Sequence, residues 1–193
     1  WKNSYRKERK TLIIGKKLAF LGFDSCVMST LAIGSQFRRF AETMVASEGS
    51  IPTAGWNYAT ILGNVINDFA KTSVPPSKMA VQFVERFIGQ QRKFALADIS
   101  VDISAWDLTR MNDLEQRFGK FVDALANSID KSGAGVRRQL QRAITYSHWR
   151  CQTYMFEQHI DLSDFCGELI TELELIKYDV GAADIRRIVK LRD

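Results

Sequence analysis

Phe20-Leu21-Gly22-Phe23-Asp24-Ser25-Cys26-Val27-Met28-Ser29 is the stretch from which the rest of the chain is read. Lys17 to Phe23 is a short apolar run that reaches a turn residue at Gly22, the pattern of a buried strand. After Asp24-Ser25, Val27, Leu31, Phe37 and Phe40 recur at mostly three-to-four spacing, so a helix is expected to begin at the cysteine. In an open α/β sheet, ligands bind where strands end at their carboxyl termini. A helix amino terminus adds unpaired N–H groups and a partial positive charge, which favour a thiolate and can hold an oxyanion. Asp24 precedes Cys26 by two residues, and alternate side chains of extended backbone share a face. A carboxylate there can hold a cationic substrate group and is poorly suited to be the general base. The alternative for Cys26 is a buried structural thiol.

Outward from this segment, short strands alternate with helices. Thr43 to Ala46 fits a second strand, and Ser47 to Gly55, with Gly49, Ser50 and Pro52, is a turn-rich loop. Ile61, Leu62, Val65, Ile66 and Phe69 mark a helix that Pro75-Pro76 stops. Ser77 is placed to cap the next helix, which carries Ala80, Phe83, Val84, Phe87 and Ile88. Ile99, Val101 and Ile103 alternate with Ser100, Asp102 and Ser104 as in a strand. Leu114, Phe118, Phe121, Val122, Leu125 and Ile129 lie on one face of a long helix, broken at Gly133 and Gly135. Val136 to Tyr146, Leu162 to Leu175 and Ala182 to Val189 make the second half mostly helical. The expected class is α/β, with few strands for its helices, so part of the sheet is expected to come from elsewhere.

The composition of the 193 residues is 46% hydrophobic, 25% charged and 11% aromatic, which excludes a disordered tail, a collagen-like repeat and a disulfide-stapled miniature. The longest apolar run, Leu18 to Phe23, is too short to cross a bilayer. A net charge of +5 is modest and names no partner. Cys26, Cys151 and Cys166 are an odd set, so at least one is unpaired within the chain. That favours a reducing compartment, the cytoplasm over secretion, or a thiol with a chemical role, without fixing the location. The chain opens on Trp1 and a basic run from Arg6 to Lys10, read as a solvated lead-in or a processing linker of a longer product.

The residues around Cys26 resemble the clostripain family of cysteine peptidases, in the caspase-like clan. The family's nucleophile motif is Phe-Asp-Ala-Cys-Leu-Met, and here stands Phe23-Asp24-Ser25-Cys26-Val27-Met28. Val45-Ala46-Ser47-Glu48, followed by Pro52 and Gly55-Trp56-Asn57-Tyr58, is similar to the family's Val-Ala-Ser-Glu-Glu…Gly-Trp-Asp-Tyr stretch. Ile103 to Leu108 resembles a later strand-to-helix segment, and His159-Ile-Asp-Leu-Ser-Asp-Phe165 resembles Tyr-Ile-Asp-Leu-Tyr-Asp-Phe. The four matches run in family order. The resemblance implies a caspase-like three-layer α/β/α sandwich and an endopeptidase that cuts after Arg or Lys. By position, Cys26 is then the nucleophile, Asp24 lies in the S1 pocket, Trp56 forms a pocket wall, and Ser47 and Glu48 line the substrate strand. On this reading residues 1–193 are part of a single peptidase domain, with a lead-in at 1–16, a nucleophile and S1 region at 17–106 and a helical part at 107–193.

The family's catalytic histidine lies upstream of the cysteine, and no histidine precedes Cys26 in this sequence. The resemblance therefore implies a separate upstream light chain carrying that histidine, produced by cleavage between the two residues, together with a protein or peptide substrate with Arg or Lys at P1. The family's final apolar strand segment has no counterpart before Asp193, Ser25 and Asn57 replace alanine and aspartate, and Ala32 stands where many members carry glutamate. The alternative is a caspase-like regulatory or binding subunit whose proteolysis is absent or switched on by a protein partner.

Other constellations are weaker. His148, Cys151, His159 and Cys166 are zinc-ligand types at irregular helical spacing, and no metal is expected there. His148 or His159 as the base for Cys26 departs from the family order. Trp149, Arg150, Tyr154 and Phe156 near Arg137, Arg138 and Arg142 read as amphipathic helices with solvated arginines, so neither nucleic acid nor membrane is an expected partner. No cofactor is required; calcium enters through the resemblance alone, and no calcium-loop pattern is present.

Overall fold

The computed structural model describes residues 16–61, 63, 67, 74–90, 101–154 and 159–176. The basic run Arg6 to Lys10, helix positions Leu62, Val65, Ile66 and Phe69, the strand start at Ile99 and Ser100, Phe156, and the helix Ala182 to Val189 lie outside them. The chain divides into two compact units, Trp1–Asn112 and Asp113–Asp193.

In the first unit, strand β1 (Leu18–Gly22) leads through a turn to helix α1 (Leu31–Phe37) and strand β2 (Ala41–Ala46). Helix α2 (Pro76–Gln90), strand β3 (Ser104–Asp107) and a 3₁₀ turn (Leu108–Arg110) follow. The sheet order is β1-β2-β3. β1 runs parallel to β2, from Leu18 opposite Ala41 to Gly22 opposite Val45. β3 is antiparallel to β2, from Asp107 opposite Thr43 to Ser104 opposite Ala46. β2 is the central strand, and all its residues but Glu42 are buried. Being covered on both faces, it reads as a nearly continuous run of small and apolar residues rather than an alternation. Ala80, Phe83 and Phe87 of α2 join Val45, Ile51, Trp56, Ile61 and Ile103 in the core, with Phe20 and Cys26 packed against it.

Three local expectations need correction. The helix after the cysteine begins at Leu31, not near Cys26. Thr30 takes the capping position in extended backbone, and its hydroxyl accepts the Ile33 N–H at 3.3 Å. Upstream, Val27 has φ 59°, a left-handed conformation that a β-branched residue rarely adopts and that no right-handed helix can pass through. Ser77 does not cap α2. The Pro75 carbonyl accepts the Met79 N–H at 3.1 Å, and Pro76 fills the first helical position, where a missing N–H is harmless. Among the described residues the third strand spans Ser104–Asp107 and meets the expected alternation, which ends at Ser104, only at that residue, because Asp102 is drawn onto the loop after β2.

The boundary between units falls within helix α3 (Met111–Lys131), which is followed by α4 (Ala134–Arg150) and α5 (Leu162–Ile176). In the second unit Leu140 and Ala143 of α4 meet Leu169 and Leu173 of α5, with Phe121, Leu125 and Ile129 of α3 packed against them. Gly133 precedes α4 in extended backbone, and Gly135 lies inside the helix instead of breaking it. Asp161 starts α5: its carboxylate accepts the Asp164 N–H at 2.7 Å and its carbonyl the Phe165 N–H at 2.9 Å. The Ile-Asp-Leu-Ser-Asp-Phe stretch is thus a helix start. Arg150 pairs with the buried Glu172 at 2.6 Å. Among the described residues, no helix is long and apolar enough to cross a membrane.

Candidate active site

Parallel pairing of β1 with β2 brings the two strands' carboxyl ends together, and the loops leaving them carry every candidate residue. Four backbone hydrogen bonds pin the turn after β1 to the end of β2 and the loop that follows it. Phe23 donates its N–H to the Val45 carbonyl at 2.9 Å, Val27 to that of Gly49 at 3.0 Å, and Met28 and Ser29 both to that of Ser47 at 2.9 Å. Cys26 therefore sits on a braced turn at the end of a strand rather than on a helix terminus. Its Sγ receives the Ile51 N–H at 3.2 Å and lies 3.7 Å from the Ile51 carbonyl.

Asp24 points into the same loop. Its Oδ2 accepts the Trp56 N–H at 3.0 Å and the Tyr58 hydroxyl at 2.7 Å, while Oδ1 is buried with no hydrogen-bond partner. Gly55 makes this approach feasible. It has φ +66°, and a Cβ there would stand 2.7 Å from Asp24 Oδ2, so a side chain would fail on both backbone and space. Trp56 is 6% exposed, its ring edge-on to Phe83 with centroids 4.8 Å apart. That ring also lies over Gly22, whose added Cβ would meet it at 2.8 Å. Ser47 is fully buried and gives its hydroxyl to Asp102 at 2.9 Å; the Glu48 N–H goes to the same carboxylate at 2.6 Å. All five candidates, Asp24, Cys26, Ser47, Glu48 and Trp56, thus gather at one end of the sheet.

Sequence reasoning missed three participants. Asp102 was visible only as a polar position in an alternating run, Tyr58 only as part of a matching stretch, and Ile51 not at all. A backbone N–H leaves no trace in side-chain type, so Ile51 had no readable signal.

Tyr58 reports on the carboxylate. Its hydrogen bond to Asp24 pushes the phenol above the usual tyrosine value, and desolvation and the Asp24 charge act the same way. With the folded value raised, this contribution to stability is present below the ordinary tyrosine range, about pH 10, and is lost as pH rises through the raised value. In a spectrophotometric titration, Asp24→Ala, which removes both the acceptor and the charge, should bring one tyrosine of the five to a lower pH. An unchanged curve would show that the pair does not form.

The other thiols are of a different kind. Burial pushes both Cys151 and Cys166 up, reinforced by Asp164 at Cys151 and by Asp161 at Cys166, so at neutral pH both are held as thiols. His148 and His159 belong to the same second unit, and the described residues contain no cluster of three potential metal ligands.

The model of the clostripain family matches residues 7–176. The chain belongs to the clostripain family. Among solved structures it is similar to a cysteine protease of B. fragilis, with a TM-score of 0.55 and 13% identity over 92% of this chain and 65% of that one. It is also similar to an inactive zymogen C11 protease from Parabacteroides distasonis, with a TM-score of 0.51 and 14% identity over 92% of this chain and 42% of that one. No curated protein matches the chain. It thus spans less than two thirds of either solved relative, and at these identities the likeness is one of fold: the caspase-like α/β arrangement of clostripain-family proteases.

Proposed function

We propose that this clostripain-family chain is the cysteine-bearing part of an endopeptidase that cuts after Arg or Lys, completed by an upstream chain carrying the catalytic histidine. The observation that carries the reading is the pairing of Cys26 and Asp24 on one strand-end turn, with one Asp24 oxygen saturated by Trp56 and Tyr58 and the other buried without a donor. Unpartnered buried acceptors are rare in folded proteins, and a P1 ammonium or guanidinium would satisfy this one. The Cys26 thiolate attacks the scissile carbonyl carbon, the histidine protonates the departing amine, and water releases the acyl-enzyme. The Val27, Met28 and Ser29 N–H groups are committed to loop carbonyls, so the Cys26 N–H is the oxyanion donor in this reading. Ser47 and Glu48 act through their backbone beside the substrate strand, and Trp56, fixed by Phe83, backs the P1 stem. Support for an added strand comes from β1, an edge among the described residues, whose Leu18 is 52% exposed.

A second reading, a regulatory subunit whose proteolysis is absent or awaits an activating partner, draws on the Ile51 backbone that closes over Cys26 Sγ. The test is fluorophore release from peptides with Arg, Lys or Asp at P1, using protein expressed together with the upstream coding region. Release after Arg and Lys and none after Asp is the expected result. Silence on all three, with Cys26 no more reactive to iodoacetamide than Cys151 and Cys166, would instead favour the regulatory subunit.

A further inference from the structure

We propose that Asp102 is a positioning residue for Cys26, acting through the loop after β2 to hold the backbone on which the sulfur stands. The carboxylate lies far from Cys26 in sequence and touches neither the sulfur nor Asp24 by any hydrogen bond described. Instead it gathers three donors from three consecutive residues. Oδ1 accepts the Ser47 hydroxyl at 2.9 Å and the Gly49 N–H at 2.8 Å, and Oδ2 accepts the Glu48 N–H at 2.6 Å.

The carbonyls of this same loop face the other way. Ser47 and Gly49 accept the N–H groups of Val27, Met28 and Ser29, the three residues after Cys26. Residues 47 and 49 are therefore gripped from both sides, by Asp102 through their donors and by the cysteine turn through their acceptors. A carboxylate accepting several donors at once is a strong anchor, because each bond is charge-assisted. It holds a turn that includes Val27 at φ 59°, a conformation that persists only where its surroundings dictate it.

The segment that carries Asp102 makes a second attachment two residues on. Ser104 Oγ lies 2.5 Å from Ser29 Oγ and donates to the Ala46 carbonyl at 3.2 Å, and Trp106 Nε1 donates to Ser29 Oγ at 2.7 Å. Residues 102–106 thus fasten both sides of the junction between the cysteine turn and the loop after β2. The alternating pattern at Val101 to Ser104 serves this junction.

The consequence for catalysis rests on Cys26 being the nucleophile; the backbone linkage does not. Both are tested with Asp102→Ala in the full chain expressed with its upstream region. Amide hydrogen exchange should accelerate tenfold or more at Val27, Met28 and Ser29, while amides of α4 and α5 keep their rates. On a P1 Arg peptide kcat should fall tenfold or more with KM within threefold, and Asp102→Asn, which keeps one acceptor oxygen, should recover part of both effects. Unchanged exchange at residues 27–29, or acceleration spread evenly over the chain, would overturn the linkage. Freed amides with kcat intact would overturn the catalytic consequence. If wild-type protein cleaves nothing, the protease reading fails and the exchange data still decide the linkage. Should Asp102→Ala not fold, Ser47→Ala removes a single donor and should speed exchange at the same three amides by a smaller factor.

Discussion

Cys26→Ala is expected to lower peptide hydrolysis by at least about a thousandfold, roughly 4 kcal/mol in transition-state stabilisation. No neighbour can take over the attack. Ser25 on the same turn offers only a hydroxyl, a far weaker nucleophile than a thiolate at neutral pH, and the Ser29 hydroxyl is already bonded to Ser104 and Trp106. Cys151 and Cys166 belong to the second unit and are held as thiols by burial. The substitution removes one sulfur from the rim of the core and leaves the turn's backbone bonds in place, so near-ultraviolet circular dichroism should match wild type. Progress curves on a P1 Arg or Lys peptide supply the measurement. Residual activity above a few percent would assign the attack to another group.

Asp24→Asn should lower kcat/KM for P1 Arg and Lys peptides by about 150-fold to 5000-fold, while a neutral P1 residue changes little. The amide keeps the size of the carboxylate, and its carbonyl oxygen can still accept the Trp56 N–H and the Tyr58 hydroxyl. What goes is the charge. Removing one partner of a buried ion pair costs about 3–5 kcal/mol, because the remaining charge is left uncompensated, and that range sets the expected loss. Comparing the two classes of peptide separates specificity from structure. An equal loss on both would mean that Asp24 shapes the turn rather than selecting the substrate.

Much of the fold was legible because its determinants are local. The apolar run at β1, the turn residues between Ser47 and Gly55, and the one-faced stripe of α3 each express a period that the backbone conformation imposes. Two of the failures share one cause. Val27 and Leu31 have helical spacing, yet the helix waits for Thr30, because loop carbonyls from Ser47 and Gly49 claim the N–H groups of residues 27–29. Val101 to Ser104 alternate like a strand, yet the ladder begins at Ser104, because Asp102 is spent on three donors from another loop. Tertiary hydrogen bonds overrode the periodic pattern in both places.

The sequence by itself determined the class of fold, the family, and the pairing of a carboxylate with a cysteine at a strand end, since these follow from residue types at short spacing. Only the tertiary structure decided what holds them. The hydrogen bonds at Cys26 and Asp24 that define the site link residues 25 and more positions apart, from Ile51 to the sulfur and from Trp56 and Tyr58 to the carboxylate. Two of those three donors are backbone N–H groups. Every residue but proline carries one, so where it points is set by the path of the chain and not by the identity of the side chain.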